Sequence, residues 1–501
     1  MTAINEISLF ARAHQFRERQ AIVTSEGTYN YGELLGDSAK AAMCLLDGRC
    51  NLNETRVAFL VSPGYHYTAV QWGIWRAGGI AVPLCVQHPT PEMEYVIEDS
   101  DADIVIIQSD VLNKLQSSEV IKGRRFLCVS DLFDEPATRS TLPEIAPDKR
   151  ALILYTSGTT DKPKGVVSTH SNIEAQVQSL ITAWKWTKDD YILNVLPMHH
   201  IHGIVNVQTC ALWSGAVCES LPSFDAGIVW EQFLEEKLTL FMAVPTIYVK
   251  LIAAWETVSP DEQEKMSAAC RKMRLMVSGS AALPVSVLEK WKTISGHVLL
   301  ERYGMTETGM ILSNPLNSQR RAGFVGTPLP GVDVRLIDDN GAVAAPGSQG
   351  EVHVKGSNVF HEYWNKPDET KIAFQDGWFI TGDVCVVENG SYRLLGRKSV
   401  DIIKTGGYKV SALEIEEVLR THPDISECAV VGLDDAEWGQ RVCAALVLNN
   451  DAEMSLESLR EWARELIAVY KIPTVIQKFD VLPRNTMGKV SKPKIVKVFQ
   501  Q

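Results

Sequence analysis

The sequence predicts a large α/β domain closed by a small antiparallel β unit and followed by a compact α+β domain. Three observations carry this. Apolar runs of strand length alternate with segments of helical period through the first two-thirds of the chain, and uninterrupted apolar strands belong to sheets covered on both faces. From Val334 the runs shorten and alternate, as in Glu351-Val-His-Val-Lys355, which marks half-exposed antiparallel strands in a small barrel or sheet. After Gly396-Arg397 a helix start and a fresh set of strands appear. The length agrees, since 501 residues at roughly 150 per domain imply about three folding units.

Taken in order, strands are expected at Val57–Val61, Asp103–Ile107, Ala151–Tyr155 and Val298–Leu300. The most apolar stretch, Ala69 to Val86, is broken by Gln71, Arg76, glycines and a proline, and falls short of the ~20 apolar residues a spanning helix needs. Asp339-Asn-Gly341 and Glu388-Asn-Gly390 are hairpin turns, because Asn-Gly accepts positive φ at both central positions. Ser411-x-x-Glu414 is a capping box opening a helix whose Ile415, Val418 and Leu419 share one face and which His422-Pro423 stops. Strands at Cys428–Leu433 and Val442–Leu448 and a helix bearing Leu459, Trp462, Ala463, Leu466 and Ile467 complete the last unit. The boundary falls near residues 397–401.

Composition excludes several classes. Lys+Arg 49 against Asp+Glu 61 gives a net charge of -12, whereas phosphate backbones reward clustered positive charge, so nucleic-acid binding is not expected. Any anionic substrate must be held by local cations. The ten cysteines are scattered with no Cys-x-x-Cys pair and read as small buried hydrophobes in a reducing compartment. Met1 to Phe16 lacks the apolar core of a secretory leader. The expected protein is therefore cytoplasmic, with no membrane span and no obligate protein partner.

The sharpest chemical signal is Tyr155-Thr-Ser-Gly-Thr-Thr-Asp-Lys-Pro-Lys-Gly165, a hydroxyl- and glycine-rich loop directly after a buried strand. Hydroxyls and successive backbone N–H groups make an anion-binding concavity, and a flexible lysine can follow a moving phosphate. It is not a Walker loop, since Gly-x4-Gly-Lys-Ser/Thr does not occur. A second cluster, Glu301-Arg-Tyr-Gly-Met-Thr-Glu307, follows an apolar strand, where α/β sheets bind ligands. Tyr303 can stack on a base, Thr306 offers a hydroxyl, and Glu307 a hard oxygen for magnesium. Taken alone, Thr306 or Glu307 serves equally as a helix cap. Third come Thr381-Gly-Asp383, Gly396-Arg397, Lys404-Thr-Gly-Gly-Tyr-Lys409 and Pro483-Arg-Asn-Thr-Met-Gly-Lys489.

Together, in this order and at these separations, these segments resemble the adenylate-forming superfamily of acyl-CoA synthetases, luciferases and peptide-synthetase adenylation domains, over nearly the whole chain. The resemblance implies an ATP- and acid-binding domain at residues 1–398, made of two layered α/β subdomains plus a small β-barrel. Residues 399–501 would form a mobile catalytic domain that rotates about a hinge. The phosphate loop then comprises Thr156, Ser157, Gly158, Thr159, Thr160, Lys162 and Lys164. Ser280, Ala281 and Ala282 form the adenine pocket with Tyr303, while Asp383 holds the ribose beside Arg397. Thr306 and Glu307 match the phosphate and magnesium positions, so Mg2+ is the implied cofactor and ATP and CoA are co-substrates. Lys489 matches the lysine that bridges substrate carboxylate and ATP, and Gly406, Gly407, Tyr408 and Lys409 match the loop lining the pantetheine tunnel. Two positions depart from the pattern: Asp161 stands where many members carry glycine, and Gly396-Arg-Lys-Ser-Val-Asp401 is one residue longer than the usual hinge segment.

The activated acid is read from Arg302, which directly precedes Tyr303. A guanidinium buried there without an anion is costly, so a second substrate carboxylate is expected; the alternative is pairing with Glu301 or another protein carboxylate. His200 fits the family's pocket histidine, and His202 and Ser278 can add hydrogen bonds; a histidine satisfied by backbone carbonyls is the plainer account of His202. Across Leu196–Ala211, Arg274–Met310 and Tyr363–Leu413 the chain is similar to malonyl-CoA synthetases, particularly the type related to the mitochondrial acyl-CoA synthetases of animals. This implies malonate as substrate, with methylmalonate as its substituted form. A ligase for a medium-chain monocarboxylate or longer dicarboxylate is the runner-up. A stand-alone adenylation domain loading a carrier protein is the reading from another class.

Overall fold

The structure, a computed structural model, describes residues 7–134, 141–156, 162–449, 452–484 and 489–500. Two sheets with parallel centres build the large domain. The first has seven strands in the spatial order Glu362–Tyr363, Lys164–Thr169, Arg150–Thr156, Ile80–Pro83, Arg56–Leu60, Ile104–Ile107 and Arg125–Cys128. The second has nine, in the order Thr327–Pro328, Gly309–Ser313, Leu300–Met305, Leu275–Ser278, Leu240–Ala243, Tyr191–Asn194, Val217–Ser220, Gln20–Thr24 and Gly27–Asn30. The strands from Leu300–Met305 to Gln20–Thr24 pair in parallel.

One apolar core runs through both sheets and the helices Tyr31–Leu46, Tyr65–Arg76 and His170–Trp184. Trp72, Trp75 and Trp184 are fully buried in it. Their polar atoms are satisfied where needed: Trp75 Nε1 donates to the Ala151 carbonyl at 2.7 Å and Trp184 Nε1 to Ser313 Oγ at 3.0 Å. Gly73 lets the first two helices touch, because a Cβ there would come within 2.6 Å of Ala41 Cβ. A second cluster covers the other side of the seven-stranded sheet with Met93 and Ile97 of the helix Thr90–Asp99.

The small β unit is a five-stranded antiparallel sheet centred on Trp378–Glu388, with Gln349–Gly356, Val332–Ile337, Phe374–Gln375 and Ser391–Arg397 around it. Its expected turn is present, with Asn389 at φ 54 and Gly390 at φ 78, the two left-handed residues of a type I′ hairpin. Residues 398–401 link this sheet to the last one, which begins at Ile402–Thr405. That sheet packs between the helices Ala412–Leu419 and Leu456–Ala463 on one face and Lys492–Phe499 on the other.

Three local expectations need correction. The strand expected at Val298–Leu300 is Leu300–Met305, so Arg302 and Tyr303 lie within it rather than beyond its end. Only half of the Ser411 capping box forms: Ser411 Oγ accepts from Glu414 N at 3.2 Å, while the Glu414 carboxylate turns to Lys471 at 2.7 Å, an ion pair that outcompetes the reciprocal cap. The helix expected to reach Ile467 stops at Ala463, where the chain tightens toward the strand Val475–Lys478. Leu466 is 52% exposed and never joins the apolar face.

Candidate active site

Four adjacent parallel strands, Tyr191–Asn194, Leu240–Ala243, Leu275–Ser278 and Leu300–Met305, point their carboxyl ends at one cleft, the place where open α/β sheets leave room for a ligand. The chain after Asn194 turns through His199 and His200 into a π-helix, His202–Thr209. Such helices are rare and cluster at functional positions. Gly203 allows the tight entry, since a Cβ there would meet the Pro197 carbonyl at 2.8 Å. No sequence pattern announced the π-helix.

Arg302 is 3% exposed. Its Nη2 stands 2.9 Å from Nδ1 and 3.0 Å from Nε2 of His202 and donates to Ser280 Oγ at 3.1 Å. Its Nε and Nη1 are buried without a hydrogen-bond partner among the described residues. Burial lowers its pKa to about 9, and no carboxylate among the described residues opposes the shift. Glu301 is not that partner: its carboxylate accepts from Gly323 N at 3.0 Å, because neighbouring strand residues face opposite sides. His202 is held neutral by burial and by Arg302, so it accepts rather than competes for charge. Its partners are Arg302 and Ser280, not the backbone carbonyls that the plainer account required. Ser278 Oγ is likewise buried and unpartnered. His200 is lowered to about 4 by burial, Lys489 and His88.

Beyond Arg302 the strand carries Tyr303, whose hydroxyl donates to Asp383 Oδ2 at 2.5 Å. Arg397 Nη1 donates to the other oxygen of Asp383 at 3.2 Å. Thr306 is half-buried in the turn that closes this hairpin. Glu307 follows, buried, its Oε1 accepting from Tyr363 Oη at 2.9 Å. Burial raises the pKa of both Glu307 and Asp383, while Arg397 pulls each of them down. Glu307, buried, and Asp383, half-buried, thus both sit in the field of the one Arg397 guanidinium. Ala281 and Ala282 are exposed at the rim, and Ser280 takes a left-handed φ of 67.

Thr156 and Lys164 are a cross-strand pair at the facing ends of the antiparallel strands Arg150–Thr156 and Lys164–Thr169. Ser157, Gly158, Thr159, Thr160 and Asp161 lie outside the described residues. Lys162 stands 5.7 Å from the Tyr95 ring. Lys164 pairs with Glu369 and sits 5.4 Å from the Tyr363 ring.

The C-terminal domain presents Lys489 to this cleft. Lys489 is exposed at the cleft; partial desolvation and Arg302 lower its pKa, and Asp383 raises it. Lys489 therefore shares the electric field of the residues on the Leu300–Met305 strand. The Gly406–Lys409 segment is elsewhere: Gly406 and Gly407, at φ 55 and 81, form a type I′ turn. Tyr408 stacks on Tyr470 at 4.2 Å and Lys409 pairs with Asp339. Between the domains Asp401 accepts from Arg397 N at 2.8 Å and from Lys492 Nζ at 2.6 Å.

Two contributors escaped the sequence reading. Tyr363 orients Glu307, and a lone tyrosine carries no signal. Gly279 lies under the Arg302 head, where a Cβ would come within 2.6 Å of Cζ and Nη1; only three-dimensional proximity shows that demand.

Residues 9–364 match the AMP-binding enzyme family, and residues 414–489 the AMP-binding enzyme C-terminal domain. The chain is 46% identical to the mitochondrial malonate–CoA ligase ACSF3 of Homo sapiens, over 98% of this chain and 92% of that protein. It is 38% identical to a malonate–CoA ligase of Arabidopsis thaliana, over 97% and 87%. The crystal structure of ATP-bound MatB from Rhodopseudomonas palustris aligns with a TM-score of 0.90 at 32% identity, covering 99% of each chain. The chain belongs to the AMP-binding enzyme family and carries both its large domain and its C-terminal domain.

Proposed function

We propose that this chain is an AMP-forming acid–CoA ligase that makes malonyl-CoA from malonate, ATP and CoA, with methylmalonate as the substituted variant. One observation carries the choice of acid: a buried guanidinium with two unpartnered nitrogens and no facing carboxylate among the described residues. A distal substrate carboxylate supplies the missing counter-charge as a two-point contact, which an ammonium could not match. The runner-up acids would need Arg302 neutralised from within, and Glu301, the nearest candidate in sequence, bonds elsewhere.

A carboxylate is a poor electrophile, so the reaction is divided. The proximal carboxylate oxygen attacks the α-phosphorus of ATP, pyrophosphate leaves, and the mixed anhydride remains. The CoA thiolate then attacks the acyl carbon and AMP departs. In the first step the work is positioning and charge neutralisation: Lys489 at the forming bond, the loop from Thr156 to Lys164 on the phosphates, and Thr306 beside them. Tyr303 with Ser280, Ala281 and Ala282 lines the adenine site, and Asp383 with Arg397 the ribose. His200, His202 and Ser278 complete the acid pocket. Magnesium fits the donor set, since two carboxylates, buried Glu307 and half-buried Asp383, share a single guanidinium and Glu307 offers the hard oxygen it prefers. When bound, it would neutralise charge on the phosphate oxygens.

We place the domain boundary at residues 398/399. The arrangement with Lys489 at the cleft and Gly407 away from it suits the adenylation step, and rotation about residues 397–401 would exchange them. Gly407→Leu is accordingly expected to leave pyrophosphate release within about threefold of wild type while lowering CoA transfer by roughly a hundredfold. Rapid-quench measurement of the two half-reactions checks this. Gly279→Ala should displace the Arg302 head and lower malonate kcat/KM by about tenfold or more with the KM for ATP unchanged, as read from steady-state kinetics.

The reading as a whole is tested by pyrophosphate release over a panel of mono- and dicarboxylates, with and without CoA. Malonate should lead, with malonyl-CoA the product; a leading monocarboxylate, or a carrier protein required in place of CoA, contradicts it. No helix among the described residues is long and apolar enough to cross a membrane. All ten cysteines are free, which supports a reducing compartment; we retain the cytoplasm, with fluorescence microscopy of a tagged chain as the check.

A further inference from the structure

Outside the residues assigned to ATP, acid and CoA, the carboxyl edges of the two large sheets meet at a second cluster. The loop after Ile80–Pro83 of the seven-stranded sheet carries Cys85 and His88. The turn after Tyr191–Asn194 of the nine-stranded sheet carries His199. One ligand atom from each of Cys85, His88 and His199 lies within 4.8 Å of the other two. Cys85 is buried and the two histidines are half-buried. The imidazoles of His88 and His199 meet edge to face at 5.1 Å. Behind His88 stands Glu92, on the helix Thr90–Asp99, with Oε2 3.2 Å from His88 Nδ1.

We infer that Cys85, His88 and His199 form a binding site for a zinc-class divalent ion, with Glu92 orienting His88 and a fourth position open to water. The donor chemistry is one thiolate and two imidazoles, which zinc takes with bonds of about 2.0–2.3 Å. A carboxylate on the far nitrogen of a ligating histidine fixes its tautomer and turns Nε2 toward the metal. Sulfur and nitrogen donors also separate this site from the oxygen set at Glu307, because magnesium disfavours thiolate and imidazole. Ligand atoms around a tetrahedral zinc are about 3.5 Å apart, so side-chain rotations that draw the three together by about an ångström complete the site. On binding, the Cys85 thiol gives its proton to water as the sulfur–metal bond forms, with no change of oxidation state.

The position gives the ion a consequence. It would tie a loop of one sheet to a turn of the other. His199 lies 4.0 Å from His200, ring centroid to ring centroid, so the same clamp steadies one wall of the acid pocket. A ligand that binds only the folded chain stabilises it by mass action, which gives a readout that does not depend on activity or on the choice of acid.

The experiment uses the full chain freed of metal by chelation. Zinc is titrated in competition with a chromophoric chelator, the melting temperature is followed with and without zinc, and cobalt is substituted to read thiolate-to-metal charge transfer. One zinc per chain, a rise in Tm and a thiolate–cobalt band are expected. Cys85→Ser should erase the band, and Cys85→Ser, His88→Gln and His199→Gln should each weaken zinc binding by about ten- to a hundredfold and cancel the rise in Tm. Cys128→Ser, at a half-buried cysteine ending the strand Arg125–Cys128, should change none of these. Circular dichroism establishes that each variant is folded, and the His88→Gln arm decides if Cys85→Ser is not. Absence of one-to-one binding, or binding undiminished in folded Cys85→Ser or His88→Gln, overturns the assignment.

Discussion

Lys489→Ala is expected to lower ATP-dependent pyrophosphate release by roughly a hundred- to a thousandfold, the loss seen when one charge-stabilising donor is removed from a polar transition state. Thioester formation from supplied malonyl-adenylate and CoA should stay within about threefold of wild type. The split follows from placement. Lys489 is tied electrostatically to Arg302 and Asp383, which we assign to the acid and to the ribose, and on that proposal its ammonium stands where carboxylate and phosphate approach. Two anions repel as they meet, and a cation between them stabilises the encounter most at the transition state. Once the adenylate exists that demand is gone. Equal losses in both half-reactions would mean that Lys489 supports the fold of its domain rather than the first chemical step.

Arg302→Ala should lower kcat/KM for malonate by roughly a hundredfold or more. Removing one partner of a buried charge pair costs about 3–5 kcal/mol, against about 0–1 for an exposed pair, and each ~1.4 kcal/mol is tenfold. Arg302 is 3% exposed, which places it in the first regime. The KM for ATP should change little, because Tyr303, the next residue, bonds Asp383, which we assign to the nucleotide rather than the acid. Arg302→Lys should recover only part of the loss, since an ammonium lacks the planar fork. Steady-state kinetics on the two variants measures both effects, with malonate and ATP varied in turn.

Much of this fold was legible because buried parallel strands leave continuous apolar runs: Val57–Val61 and Asp103–Ile107 differ from the observed strands by one residue at their ends. The Asn389-Gly390 turn was legible because its chemistry is local. Failures came where tertiary contacts decided. Leu466 fits the helical period, but the chain must turn at Ala463 to reach its next strand. Glu414 fits a capping box, but Lys471, distant in sequence, claims it. In the cleft, the residue types of Arg302, Tyr303, Glu307 and Asp383 were visible as motifs. Their division into an arginine without a carboxylate and two carboxylates sharing Arg397 was not, because pairing depends on which way each side chain faces. Gly279 and the cluster of Cys85, His88 and His199 were invisible for the same reason: segments far apart in sequence are brought together only by the sheets.

The central claim is that Arg302 reads a second carboxylate, and it is tested most directly by the ratio of kcat/KM for malonate to that for butyrate, measured in wild type and in Arg302→Ala. Wild type should favour malonate, because butyrate leaves the guanidinium buried and unpaired. In Arg302→Ala the ratio should fall by about a hundredfold or more as malonate loses its partner and butyrate gains an apolar wall. A ratio that falls by less than about tenfold, or a wild type that already prefers butyrate, would contradict the account and make Arg302 a structural residue.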